Sequence, residues 1–486
     1  MPQGRSHAKS MLPLAKRLVD YGHDVTLFFE VFRPELQIDK QVEANLILWK
    51  DIEPSVIGVF DVVLDENFIE LLWAGDYTSD VPVVVWVSSA KSLRHILENQ
   101  SEDFWAVANQ SWDLVLVDPL FSNSGMAIAL LQQNRGTPYM HFSTAQVDPL
   151  YSYHKSLCRP FSTSPSATLV MRPDHIAWSA NNFWHRLRSS YESLRFMQIY
   201  VTTVQHLLTD SLRSVAPDFT YKQWIIGDSL TFYEYFNRLD WPVATSAELL
   251  SVGAHCESEN VDALPEEILD FVNSPGSKGT VLITFGTIVR WDLAPKRYVD
   301  MIWTVLRTLK HYRFLWSYKG QPGRIVDNVF LADWLPQKAI LKHPKTKLVF
   351  THGGLKSLKE SLCTGRPLLL MPMLAEQGRN ADLAEKWGVG KVLNKRRVTA
   401  AQIITSIQQI TSDPLYELRI KRIKDIWLDR VIPALDEAAF WVNRVIRLKG
   451  LPKRFYKSKA IEYFVGHTFL DLLMSMFGLV LVLTFI

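Results

Sequence analysis

The sequence predicts an α/β protein of two doubly wound halves with an apolar segment at its C-terminus, and three observations carry that prediction. At 486 residues the chain is long for one core, and about 100 to 200 residues per domain suggests two or three. Short apolar runs, VTLFF at 25–29, DLVLV at 113–117 and TVLIT at 280–284, alternate with stretches of helical spacing, as buried strands and their crossovers do. The runs ending at Thr284 and Thr351 both break at glycine turns, Phe285-Gly286-Thr287 and His352-Gly353-Gly354, before helical spacing resumes.

After Ser6-His7, the spacing of Met11, Leu14, Ala15 and Leu18 predicts a helix that stops at Tyr21-Gly22-His23. The strands at 25–29 and 113–117 follow, and Asp118-Pro119 falls at the C-terminal end of the second, where ligands sit in open α/β sheets. Residues 151–215, rich in Trp, Tyr, Arg and Ser, read as helices and loops covering a pocket. We place a first half at 1–250, a linker at 251–278 and a second half at 279–448. The second half holds a helix from Pro295 to Leu309, a strand from Arg313 to Tyr318 and two or three amphipathic helices after Ala400, the last crossing back over the first half. Residues 464–486 are almost wholly apolar, marred by His467 and Asp471, and reach the ~20 residues of a membrane span only with their polar start included. A buried C-terminal helix is the alternative. No apolar leader and no first strand precede Ser6-His7, so a doubly wound sheet would keep an unfilled central slot, as in a chain that starts late.

Composition narrows the function. A net charge of +3 without a long Lys/Arg block gives no reason to expect nucleic acid. Cys158, Cys256 and Cys363 are distant and odd in number, and make neither a disulfide framework nor a metal spacing. No Asp-x-Asp occurs, so we expect no metal and no cofactor. Asn99 and Asn109 each begin a glycosylation sequon.

The turn at His352-Gly353-Gly354 leaves the first N–H groups of a helix without partners at its positive end, which makes an anion site, most naturally for phosphate. Taken alone, that junction also fits a closely packed βα turn. His352 is a second donor there, Glu360 and Ser357 suit ribose hydroxyls, and Trp334 and Gln337 offer a flat face and an amide to a base. In order and spacing, W-x-P-Q, H-P, F-T-H-G-G, E, G-x-P, P and E-Q-x-x-N-A between Trp334 and Ala381 resemble the signature of the UDP-glycosyltransferases, which conjugate small lipophilic molecules.

The resemblance implies a GT-B fold, two Rossmann-like domains facing across a cleft, with a C-terminal membrane anchor and a body in the endoplasmic reticulum lumen. It implies UDP-glucuronate or UDP-glucose as donor and a lipophilic acceptor, and leaves a homo-oligomer open. Thr284 and Thr287, either side of Phe285-Gly286, would meet the phosphates or the sugar. Glu376-Gln377 stands where the family's Asp-Gln binds the donor sugar. Lys356 replaces the usual Asn or Gly and either binds phosphate as a point charge or is solvated, while Arg379 would favour a sugar carboxylate. His7 matches the family's base, and Asp118 the aspartate that orients it. The competing function is a catalytically silent relative that holds nucleotide in a binding or scaffolding role.

Overall fold

The computed structural model describes residues 5–31, 46–51, 66–75, 83–120, 122–145, 149–155, 165, 178–236, 239–241, 244–256, 263–319, 323–451 and 470–485. In the first half, helix α1 (Arg5–Asp20) buries Met11, Leu14, Ala15 and Leu18, the stripe its spacing announces. Strand β1 (Thr26–Val31) pairs in parallel with β2 (Leu46–Asp51). A separate parallel sheet runs β3 (Val115–Val117), β4 (Tyr139–Ser143), β5 (Thr231–Tyr233) and β6 (Leu249–Ser251). Helices α2 (Asn123–Gln133) and α3 (Pro149–His154) flank β4 in the chain.

The sheet of this half is thus divided between β1 and β3, which share no ladder. A buried carboxylate ties the two pieces instead. Glu30 on β1 accepts from the hydroxyls of Ser92 at 2.6 Å, Ser124 at 2.7 Å and Ser122 at 3.4 Å. Ser122 also accepts the Gly125 N–H at the start of α2, so one cluster fixes a strand and a helix end together.

The second half is a seven-stranded sheet in the order β13-β12-β11-β7-β8-β10-β9. Its strands are β7 (Thr280–Thr284), β8 (Arg313–Ser317), β9 (Gly323–Val326), β10 (Val329–Ala332), β11 (Thr346–Thr351), β12 (Leu368–Leu370) and β13 (Gly390–Val392). All pair in parallel except β9 on β10. From β7 the chain moves outward through helix α4 (Lys296–Thr308) to β8, then returns to β11 on the other side. The order reverses between β7 and β11, which opens a crevice at their C-terminal ends. Helix α5 (Leu355–Thr364) leaves β11 there, and α6 (Gln377–Lys386) follows β12.

Helix α7 (Ala434–Leu448) crosses back to the first half. Its Ala438, Ala439, Val442 and Val445 share a core with Met11, Leu14, Met140 and Phe232, and Arg17 Nε donates to Asp436 Oδ1 at 2.5 Å. Helix α8 (Leu470–Phe485) ends the described chain. Its 16 residues reach roughly 24 Å at 1.5 Å each, short of the ~30 Å hydrocarbon core. No helix among the described residues is long and apolar enough to cross a membrane, and residues 464–469 of the expected span lie outside them.

The cysteine reading is corrected. Cys256 and Cys363 form a disulfide that joins the segment after β6 to the end of α5. The pairing crosses 107 residues, and spacing along a chain carries no sign of which distant segments folding brings together. Closing so long a loop restricts the unfolded chain, so Cys363→Ser should cost roughly 2 to 4 kcal/mol. Denaturant unfolding under oxidising conditions checks this; a variant as stable as the parent would remove the bridge from the fold's supports.

Candidate functional site

The crevice between β7 and β11 is built by register. Thr284 lies opposite Thr351, so the turns that follow them, through Gly286 and through Gly353-Gly354, stand side by side. Gly286 and Gly353 have φ of +71° and +85°, which only glycine adopts without strain. His352 packs between the turns, and a Cβ at Gly286 would lie 3.0 Å from its Cε1 and Nε2. Burial lowers its pKa to about 4. His352 therefore enters the site as a neutral ring that can offer an N–H and not as a charge, which narrows the role the sequence suggests.

The first N–H groups of α5 open into this crevice, with Thr284 buried and Thr287 half-buried at its β7 side. The Glu376 carboxyl lies near the Leu355 N–H at the start of α5, and burial raises its pKa. Ala375, just before it, holds φ of +52°, a strained geometry for a residue with a Cβ and one the sequence does not reveal. Gln337 Nε2 donates to Glu360 Oε2 at 2.6 Å and to Ser357 Oγ at 3.2 Å, so these three predicted residues form one cluster. Trp334 stands beyond them, 52% exposed.

Two neighbours take structural work. Gln377 Oε1 accepts from Met373 N–H at 2.9 Å and Leu374 N–H at 3.0 Å, which fixes the loop before α6. Arg379 donates to Pro165 O at 2.5 Å and Asp240 Oδ1 at 2.7 Å. Its guanidinium is committed to the first half, which overturns the expectation that it would select a sugar carboxylate. Asn380, one residue on, ties Gly353 O to the Tyr235 hydroxyl, at 2.9 and 2.7 Å.

Across the cleft, His7 on α1 and Asp118 after β3 come together through a residue the sequence reading missed. His7 Nδ1 lies 2.5 Å from Thr144 Oγ1, which donates to Asp118 Oδ2 at 2.7 Å; Asp118 Oδ1 accepts the Leu120 N–H at 2.9 Å. Thr144 directly follows β4 as Asp118 follows β3, so the strand-end rule applied at Asp118 would also have pointed to it. The hydroxyl has one proton and gives it to Asp118, so it accepts from His7; the imidazole proton sits on Nδ1 and Nε2 is the basic atom. Burial and the nearby Lys356 ammonium lower His7 to about 3. Burial raises Asp118 to about 6 against the opposing Thr144 hydrogen bond.

The two sets meet at Lys356. From the first turn of α5 its Nζ donates to Thr144 O at 3.2 Å and pairs with Glu234, just after β5. Lys359, one turn on, pairs with the other oxygen of the same carboxylate. Burial would raise Glu234, but the two ammonium groups win and hold it at about 2. Lys356 thus meets a carboxylate of the first half, a partner the sequence does not announce; burial lowers its pKa while Glu234 opposes. Among the described residues no cluster of His, Cys, Asp or Glu could hold a metal ion.

A family model described as "UDP-glucoronosyl and UDP-glucosyl transferase" matches residues 1–486. UDP-glucuronosyltransferase 1A1 of Homo sapiens is 27% identical over 506 residues, covering 100% of this chain and 89% of that protein. UDP-glucuronosyltransferase 1A5 of Rattus norvegicus is 25% identical over 495 residues, with the same coverage of 100% and 89%. Among solved structures, the calicheamicin glycosyltransferase CalG4 superposes with a TM-score of 0.59 at 18% identity, over 92% of this chain and 96% of that one. That likeness is to the GT-B arrangement of two parallel α/β halves.

The glycine turns give a test of the crevice. Gly286→Ala would force a Cβ into a left-handed backbone against His352, which should cost about 1 to 3 kcal/mol. Gly354→Ala has ordinary backbone angles but would put its Cβ 2.8 Å from His352 Nε2, so the ring must move. Thermal unfolding should show a fall of several degrees for Gly286→Ala; an unchanged midpoint would show that the turns do not clamp His352.

Proposed function

The chain belongs to the UDP-glucuronosyl and UDP-glucosyl transferase family, and from that premise we propose that it transfers glucuronate or glucose from a UDP-sugar to a hydroxyl of a small lipophilic acceptor, with inversion. The observation that carries the proposal is the His7–Thr144–Asp118 relay facing the N-terminus of α5 across one cleft.

On this reading the diphosphate lies against the first N–H groups of α5 and the two glycine turns, the ribose hydroxyls at Glu360 and uracil on Trp334. Glu376 holds the sugar. His7 Nε2 takes the acceptor proton as the oxygen attacks the anomeric carbon from the side opposite the diphosphate, and the configuration inverts. The imidazolium that forms keeps its Nδ1–H on Thr144, whose proton already points at the Asp118 carboxylate. The departing charge falls on preorganised N–H groups, commonly the largest electrostatic term in such a step. No residue in this account calls for a metal.

The helix at Leu470–Phe485 supports membrane attachment. Met474, Phe477, Leu479, Val480 and Leu483 are all exposed, so the body does not cover its apolar surface. The Cys256–Cys363 disulfide favours an oxidising compartment for the body, as the reticulum lumen is. Deleting residues after Lys459 should release a folded, UDP-binding protein from membranes into the supernatant. An unfolded truncation would make the helix part of the core.

Transfer of labelled sugar from UDP-glucuronate and UDP-glucose to a mixture of phenols tests the reaction; UDP binding without transfer would favour the silent binding protein. His7→Ala should lower turnover by roughly 10²- to 10⁴-fold. The acid limb of activity should follow Asp118, not His7. The relay needs the carboxylate, which is present above about 6 and lost as pH falls through that value, while His7 is still neutral there. Thr144→Val removes a hydrogen bond that favours the carboxylate and should move the limb to higher pH. A limb that stays in place in that variant would break the relay.

A further inference from the structure

Two lysines of the second half converge on one carboxylate of the first. Lys356 and Lys359 each contact a different oxygen of Glu234, which puts two positive charges on one negative in a largely buried place. Charges drawn out of water need partners, so an ammonium that shares its carboxylate with a second lysine keeps an affinity for a further anion. Lys356 Nζ also donates to the Thr144 carbonyl, and the buried Glu376 carboxyl on the donor side acts on it from a distance.

The two lysines are not equivalent. Lys359 is 10% exposed and lies one turn into α5, whereas Lys356 is 24% exposed and stands on the first turn, at the mouth of the crevice. Lys356 can therefore leave Glu234 without stranding it, because Lys359 remains.

We propose that Lys356 exchanges partners during the reaction: it pairs with Glu234 while the donor site holds no anion, and passes to the phosphate oxygens when a nucleoside diphosphate sugar enters. The proposal rests on the reading of the α5 turn as the diphosphate site, and adds that a protein carboxylate competes with the donor for one cation. The exchange also reaches the base. His7 is faced by Thr144 after β4 with Asp118 behind it, by Glu234 after β5 and by Lys356 on α5. Lys356 disfavours the imidazolium and Glu234 favours it. Once diphosphate neutralises Lys356, the balance at His7 shifts toward Glu234, and the base strengthens when its substrate is in place. A lone cation at the same position would have no such dependence on the donor.

The test compares two ligands and opposite signs. Calorimetric titration of the full chain with UDP and with uridine, which lacks phosphate, should show Lys356→Met weakening UDP by about 10- to 100-fold and leaving uridine unchanged, the range of a charge-assisted hydrogen bond. Glu234→Gln removes the competitor and should tighten UDP several-fold. Should Lys359, left unpaired, prevent that variant from folding, Glu234→Gln with Lys359→Met removes both partners and should show the same tightening. Wild-type UDP affinity in Lys356→Met overturns the exchange, as does weaker UDP binding in the variants that lack Glu234. A parent protein that binds neither UDP nor uridine overturns the underlying diphosphate reading, and the exchange with it.

Discussion

The N-terminus of α5 sets the terms for the rest of this structure. A helix leaves its first four N–H groups unpaired, and here they open between two strand ends that lie in register. Groups so placed must be met by acceptors or left to a ligand. The surroundings are arranged accordingly: glycines keep the approach open at Gly286, Gly353 and Gly354, His352 fills the gap between the turns without bringing charge, and Glu376 lies near the Leu355 N–H. The cost appears as a left-handed Ala375 and a Glu376 carboxyl that burial makes more basic.

Among the ties that hold the first half over that crevice, three use different kinds of force. Helix α7 buries an apolar face on α1, the disulfide fixes the segment after β6 to the far end of α5, and Glu234 binds two lysines at its near end. The first two are indifferent to what occupies the cleft. The third is not, because its charges are of the kind the substrate brings. Where an interface between two halves contains both sorts, only the charged part can respond to a ligand, and it lies within reach of the base.

The elements that could be read from the sequence are those with local causes. Apolar runs gave β7 and β11, and glycines gave the turns after them, because a strand and its break are written within a few residues. Gln337, Ser357 and Glu360 are singled out by the order of the signature stretch, although their contacts with one another cross 20 and 23 residues. What could not be read depends on pairing at a distance. Lys356 and Glu234 are 122 residues apart, Cys256 and Cys363 107, Arg379 and Asp240 139. Nothing in the residue types tells Arg379, held by Asp240, from an arginine free to bind a ligand. Thr144 was missed for another reason: a threonine at a strand end has several ordinary uses, so the strand-end rule points to its position while the His7 contact shows its use.

That threonine explains how a buried base can be supported without being disabled. A carboxylate in direct contact with imidazole favours the protonated ring, and a histidine that is already protonated cannot accept a proton. Here a neutral hydroxyl stands between Asp118 and His7, and the Lys356 ammonium works against protonation of the ring. His7 consequently rests neutral. The relay is nonetheless oriented, because the Thr144 proton points at Asp118 and fixes the imidazole proton on Nδ1. As positive charge develops on the ring, the polarised hydroxyl and the carboxylate behind it meet that charge with little rearrangement. Support that grows with the charge lowers the barrier more than support present in the resting state, since only the difference between the two states accelerates a reaction.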